Sequence, residues 1–157
     1  MEKVVNFSQI DKIVQKLRST KKTIVLAGGC FDILHFGHLK FLEQAKKQGD
    51  ILIIALESDE NVKRLKGQNR PINKEKPRAA NLLKTGFVDY VVILPISKTD
   101  ASYLNLVKAV SPDIIAVTAG DPKLSQKQEQ AKTIGSQVKV VIDRLLGFST
   151  SQFLNNI

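Results

Sequence analysis

Apolar positions along this 157-residue chain follow two alternating rhythms. Short runs dominated by aliphatic residues at 23–27, 51–56, 88–94, 113–117 and 138–142 predict strands buried on both faces. Between them, apolar residues recur every three or four positions. Ser8 with Asp11 predicts a capping-box-like start, and Ile10, Ile13, Val14 and Leu17 a first helix ending near Arg18. Leu39, Leu42 and Ala45 predict a helix over about 37–48, stopped by Gly49. Further helices are predicted at about 60–66 and 75–85, split by Gly67 and Pro71, and at 101–110 and 124–134. A terminal helix is expected from near Ser149.

Strands alternating with helices form a parallel sheet with both faces covered. The pattern therefore predicts an α/β class: one doubly wound, Rossmann-like domain over 1–157, with five parallel strands and helices on both faces. Residues 1–20 carry the N-terminal helix. Ligands of such sheets bind outside the carboxyl ends of the strands, which here are 27–30, 56–59, 94–97, 117–121 and 142–144.

Composition narrows the class. A single Cys excludes a disulfide scaffold and a four-cysteine zinc module. No apolar stretch approaches the roughly 18 residues of a membrane span, and the N-terminus has no signal-peptide core. A soluble, reduced, cytoplasmic protein is expected. The formal charge is +9, and residues 61–84 carry +7 of it through Lys63, Arg64, Lys66, Arg70, Lys74, Lys76, Arg78 and Lys84 against Glu75 alone. Within this basic segment, residues 67–77 are expected to be the most flexible. Charge by itself is compatible with a solvated helix face, a nucleic acid or a triphosphate. No Phe, Tyr or Trp lies among these residues, so stacking on single-stranded nucleic acid has little support.

The loop after the first long strand, Gly28-Gly29-Cys30-Phe31-Asp32-Ile33-Leu34-His35-Phe36-Gly37-His38, holds both histidines of the chain. It matches neither a dinucleotide glycine pattern nor a P-loop. Three residues apart at a helix entry, both imidazoles lie on one face, beside unpaired N–H groups and the positive end of the helix dipole. That combination suits a phosphate, and Gly28, Gly29 and Gly37 let a ligand approach the backbone. A metal pair is the weaker reading, because only Asp32 stands nearby. Cys30 at a strand end is more often a small hydrophobe than a nucleophile.

These residues resemble the cytidylyltransferase-like nucleotidyltransferases, which use an H-x-G-H motif to join a nucleoside triphosphate to a phosphorylated small molecule. The likeness extends through Ser58-Asp59, Val62-Lys63-Arg64-Leu65-Lys66-Gly67 and Arg70-Pro71-Ile72-Asn73 to Arg144-Leu145-Leu146-Gly147-Phe148-Ser149-Thr150-Ser151, which is similar to an R-x-x-G-x-S-T-[ST] signature. Within the family the chain looks most like the adenylyltransferase domain acting on heptose 1-phosphate. The resemblance implies ATP, or alternatively CTP, as donor, Mg²⁺ held mainly by its phosphates, a phosphorylated acceptor, and a homodimer. A membrane or a long nucleic acid is not expected as partner.

It also implies roles for individual residues. His35, His38, Lys66 and Arg144 match the catalytic positions. Gly28, Gly29, Cys30, Phe31, Asp32, Gly37, Arg78, Gly120, Asp121, Gly147, Ser149 and Thr150 match nucleotide-binding ones, and no protein metal ligand is named. Asp32 is open to orienting a histidine, contacting the nucleotide, helping to place Mg²⁺, or capping its own turn. Two departures stand out. Pro77 precedes Arg78 where the family has an acid, and Thr118 stands where the heptose-type enzymes have Lys before Gly-Gly-Asp. The alternatives are cytidylyl transfer to glycerol 3-phosphate, adenylyl transfer to riboflavin phosphate and, from a different class, a nucleotide- or RNA-binding module that has lost catalysis.

Overall fold

The computed structural model describes residues 2–142. Six strands, all parallel, form one sheet: β1 (Val4–Val5), β2 (Ile24–Gly29), β3 (Ile51–Leu56), β4 (Tyr90–Ile93), β5 (Ile114–Thr118) and β6 (Gln137–Ile142), in the order β1-β4-β3-β2-β5-β6. The helices are α1 (Ile10–Ser19), α2 (Phe36–Lys46), α3 (Asp59–Lys66), α4 (Glu75–Lys84), α5 (Ala101–Val110) and α6 (Leu124–Ile134). The α/β, doubly wound reading holds, with one strand more than expected. The added β1 is two residues long, too short to show a period, and it extends the sheet at the β4 edge.

The start of α1 differs from the expectation. Asn6, not Ser8, makes the capping box, with Gln9, around a short 3₁₀ turn at Phe7–Gln9. Ser8 lies within that turn, its hydroxyl donating to Asn6 Oδ1 at 2.7 Å, and the N-cap position of α1 falls to Gln9.

Two apolar layers sandwich the sheet because successive side chains of a strand point to opposite faces. Ile24, Leu26, Ile53, Ala55, Val92 and Ile115 pack with Ile10 and Leu17 of α1, Leu106 and Val110 of α5, and Ala131 of α6. Val25, Ala27, Leu52, Ile54, Val91 and Ala116 pack with Phe41 and Leu42 of α2 and Leu82 of α4. Fully burying one such Leu or Ile stabilises the fold by about 1.5–3 kcal/mol.

Three aspartates fix the sheet's lower edge. Asp50, Asp89 and Asp113 each precede a strand and accept a backbone N–H from Thr23, Leu52 and Ile24 respectively, at 2.8, 2.8 and 2.9 Å. Burial opposes the charge of Asp113, but the Ile24 N–H and the Arg18 guanidinium outweigh it and hold its pKa below the ordinary carboxylate value.

Chain order reverses between β2 and β5. From β2 the chain winds outward through β3 and β4, then returns to add β5 and β6 on the other side. The carboxyl ends of β2 and β5 therefore flank the topological switch point, where open α/β sheets bind ligands.

Candidate active site

The loop from β2 to α2 lies at that switch point. Phe31 turns the chain with a φ of 46°, and His35 is the N-cap of α2 in extended conformation, its Nδ1 accepting the Gly37 N–H at 3.0 Å. An Nδ1 that accepts leaves the neutral ring's proton on Nε2. The His38 ring stacks on His35 with centroids 4.0 Å apart and planes 28° from parallel, and Phe31 lies 5.4 Å from it on a tilt. Burial lowers the pKa of His35. Burial, with the neighbouring His35 and Lys66 charges, lowers that of His38 to about 4 against the opposing pull of the Ile33 backbone. At neutral pH the pair is uncharged, and neutral imidazoles donate hydrogen bonds without bringing cationic repulsion into a shared site.

Lys66 ends α3, exposed, ahead of Gly67 at φ 112°. It makes no salt bridge among the described residues, yet its charge is felt by both Cys30 and His38. A lysine so placed acts as a mobile point charge toward a phosphate. Burial pushes the Cys30 thiol up, so it stays protonated and is a poor nucleophile.

Arg78 is placed differently from the expectation of a phosphate contact. It is 0% exposed. Its Nε donates to Asn73 O at 2.9 Å, one terminal nitrogen to Cys30 O and Glu57 O at 2.8 Å each, and the other to Asp59 Oδ1 at 2.9 Å. Four of its five donors are thus used by three separate segments, at residues 30, 57–59 and 73. Arg78 braces the ends of β2 and β3 against α4, and Asp59 supplies the carboxylate that Pro77 cannot.

Asp32, 1% exposed, is likewise committed inside the protein. Its Oδ2 accepts Arg70 Nε and Ile72 N at 2.9 and 2.8 Å, its Oδ1 accepts Asn73 N at 2.8 Å, and its backbone carbonyl accepts Asn73 Nδ2 at 2.8 Å. Burial works against its charge, but the Asn73 and Ile72 N–H groups and Arg70 outweigh it, and its pKa is lowered. Of the roles open in the sequence, the one observed is another: Asp32 ties the middle of the basic segment to the histidine loop. Residues 70–73, expected to be a flexible insert, are pinned at this point.

Buried Asn61 performs a similar service between β3 and β4, donating to Glu57 Oε2 and Pro95 O and accepting from Ser97 N. Across the switch point, Gly120 turns at φ 81° after β5. Asp121 accepts Lys123 N through Oδ1 and pairs with Lys127 through Oδ2 at 2.7 Å. The sheet order thus brings together the glycines, His35, His38, Lys66 and the 118–121 turn, while Arg78 and Asp32 stand behind them. Arg144, Gly147, Ser149 and Thr150, and the expected terminal helix, lie outside the described residues. Sequence reasoning did not single out Tyr103, Glu57 and Lys127, which line a cavity of about 180 Å³ beside Gly28 and Gly29. Their only signal was proximity to strand ends in the predicted topology. No helix among the described residues is long and apolar enough to cross a membrane.

Known proteins are similar to this chain in sequence and in fold. The cytidylyltransferase-like family model matches residues 26–157. The bifunctional protein HldE of Campylobacter jejuni (strain RM1221) is 43% identical over 147 residues, 94% of this chain and 30% of that protein. That of Nitratiruptor sp. is 42% identical over 156 residues, 99% of this chain and 32% of its own length. The chain therefore spans about a third of the curated relatives it matches. The crystal structure of the lipopolysaccharide core biosynthesis protein from Thermoplasma volcanium superposes with a TM-score of 0.62 at 27% identity, covering 78% of this chain and 95% of that one. Pantoate-beta-alanine ligase from Francisella tularensis, solved with beta-gamma ATP and beta-alanine, shares the fold at a TM-score of 0.68 and 15% identity, covering 90% of this chain and 67% of that one. With its H-x-G-H loop capping α2 at the sheet's switch point and the family model running from β2 onward, the chain belongs to the cytidylyltransferase-like family of nucleotidyltransferases.

Proposed function

We propose that this chain transfers a nucleoside monophosphate, AMP rather than CMP, from a nucleoside triphosphate to the phosphate of a sugar 1-phosphate of the heptose type. The observation that carries the reading is the stacked, neutral His35–His38 pair at the start of α2, with Lys66, in no salt bridge among the described residues, close enough for its charge to reach His38. An acceptor phosphate oxygen attacks the α-phosphorus, a new P–O bond forms, and the α–β bridge breaks with its electron pair leaving on pyrophosphate. His35 and His38 donate to the oxygens on which charge builds, and Lys66 neutralises phosphate charge. Such preorganised donors contribute about 10²–10³ in rate each. Arg144, Ser149 and Thr150 complete the reading on the β/γ-phosphate side, with Gly120 and Asp121 toward the nucleoside.

Mg²⁺ belongs to the same reading. Asp32, the acid of the histidine loop, has both oxygens engaged by residues 70–73, and no group of three or more His, Cys, Asp or Glu stands ready for a metal among the described residues. The ion is assigned to the triphosphate's own oxygens, where it offsets phosphate charge, and no step runs through a protein ligand. A cytoplasmic homodimer is part of the same proposal, and light scattering of the purified chain tests the assembly.

The sugar acceptor draws support from the Thermoplasma neighbour, described as a lipopolysaccharide core biosynthesis protein. The test is a matrix of ATP, CTP, GTP and UTP against heptose 1-phosphate, glycerol 3-phosphate and flavin mononucleotide, scored by pyrophosphate release. Release with ATP and heptose 1-phosphate is expected. Consumption of CTP alone overturns the adenylyl assignment. No release with any pair, together with RNA affinity that falls steeply with salt, favours a binding module.

A further inference from the structure

The cavity between the end of β2 and helices α5 and α6 holds a polar group that the proposed chemistry does not use. Tyr103 of α5 lays its ring edge against the β2 backbone. A Cβ built on Gly28 would stand 2.9 Å from Tyr103 Cε2, so the ring occupies the space that the glycine leaves open. Its hydroxyl oxygen is buried and has no hydrogen-bond partner among the described residues. Leaving a buried hydroxyl unpaired costs about 1–3 kcal/mol, a cost that a ligand hydroxyl removes on binding.

The surroundings define what such a ligand is. Lys127 Nζ lies 5.7 Å from the Tyr103 ring centroid and is held at 2.7 Å by Asp121. Lys123 is held on Asp100, at 2.6 Å. Both cations are therefore already compensated, and Glu57 adds an acid on the β3 side. Gln126 and Gln130, one turn apart on α6, contribute neutral amides that both donate and accept. These amides, the phenol and the compensated ion pairs stand among the largely apolar surface to which Gly28, Gly29, Cys30 and Leu65 belong, a mixed lining that matches a sugar, with hydroxyls at its edge and C–H groups on its ring faces, rather than a second polyanion. The volume of about 180 Å³ is well under the roughly 300–1,000 Å³ of pockets that enclose drug-sized ligands. That size suits one sugar ring.

We propose that Tyr103 is a specificity-determining residue for the acceptor, its hydroxyl pairing with a sugar hydroxyl of the sugar 1-phosphate while Gln126 and Gln130 bind the rest of the ring's polar edge. This rests on the reading of the chain as a nucleotidyltransferase with a phosphorylated sugar acceptor. The phosphate of that sugar points toward His35, His38 and Lys66, and the ring lies on the Gly28–Tyr103 floor.

The experiment compares wild type with Tyr103→Phe, which keeps the ring on Gly28 and removes one oxygen. Initial rates of pyrophosphate release are measured against heptose 1-phosphate and its singly deoxygenated analogues at saturating ATP. Binding of the same sugars is measured by calorimetry with a non-cleavable ATP analogue present. The expected result is a rise in acceptor KM and Kd of about 3–10-fold, an unchanged KM for ATP, and one deoxy analogue that the variant no longer distinguishes from the full sugar. Gln126→Ala and Gln130→Ala are expected to move discrimination at other hydroxyls. If wild type binds and uses the sugar phosphate while Tyr103→Phe matches it in KM, Kd and every discrimination ratio, Tyr103 reads no acceptor and the nucleotidyltransferase reading stands. If wild type neither binds nor uses any sugar phosphate but transfers to glycerol 3-phosphate or flavin mononucleotide, the sugar acceptor and this pocket assignment fall together.

Discussion

Replacing Asp32 by Asn tests whether the tie between the histidine loop and the basic segment is structural. The carboxylate accepts three hydrogen bonds, two at Oδ2 and one at Oδ1. A carboxamide has one acceptor oxygen. Placed at Oδ2, it turns its NH₂ against the Asn73 N–H; placed at Oδ1, against Arg70 and Ile72. Either way a donor loses its partner, at about 1–3 kcal/mol. Arg70, only 8% exposed, also loses the opposite charge of its salt bridge. Breaking one side of a buried pair costs about 3–5 kcal/mol, and that range includes the orphaned donor. Urea unfolding at pH 7 should therefore show Asp32→Asn less stable by about 3–5 kcal/mol, with a melting temperature lower by on the order of 10 °C for a domain this size. The pH dependence has a definite sign. Asp32 has a lowered folded pKa, so its stabilisation is fully present above the unfolded value and is lost as pH falls through the folded one. The gap between wild type and variant should hold from pH 7 to about 4 and narrow below it. A variant within about 1 kcal/mol of wild type at pH 7, with nucleotide binding lost, refutes the brace and makes Asp32 a ligand contact.

Two further predictions follow the same logic. Arg78→Lys keeps the charge but loses the fork that reaches Asn73, Cys30, Glu57 and Asp59; a stability loss of about 3 kcal/mol or more is expected in chemical denaturation. Wild-type stability with a selective loss of ATP affinity contradicts the buried placement. His38, with a pKa lowered to about 4, stays neutral in the folded chain while the unfolded chain binds a proton near pH 6.5, so wild type should lose stability relative to His38→Gln as pH falls from 6.5 toward 4. Equal pH profiles of the two proteins, followed by thermal melts, contradict a neutral His38.

The sheet was legible because Ile51–Leu56 is apolar at every position and the central strands beside it nearly so, as doubly covered strands require. Helices α5 and α6 end where their periodicity does, at Val110 and Ile134. Strand β1 was not legible, since two valines carry no period and their place depends on contacts with distant Val91 and Val92. In the site, the glycines and paired histidines are contiguous and so readable. Arg78 and Asp32 are not, because their roles depend on acceptors and donors from segments about 20 to 50 residues away in sequence. A sequence shows a charge but not the carbonyls that surround it. Tyr103 sits among the apolar residues of α5 and reads there as core; its ring's close approach to Gly28 and its hydroxyl, unpaired among the described residues, distinguish it.

The central claim is that the stacked neutral histidines stabilise charge on the α-phosphate. Single-turnover pyrophosphate release from ATP and heptose 1-phosphate, compared between wild type and His38→Ala with folding verified by circular dichroism, tests it most directly. The account predicts a fall of about 10²–10³ in the rate at saturating substrates. A His38→Ala protein that releases pyrophosphate at the wild-type rate contradicts it.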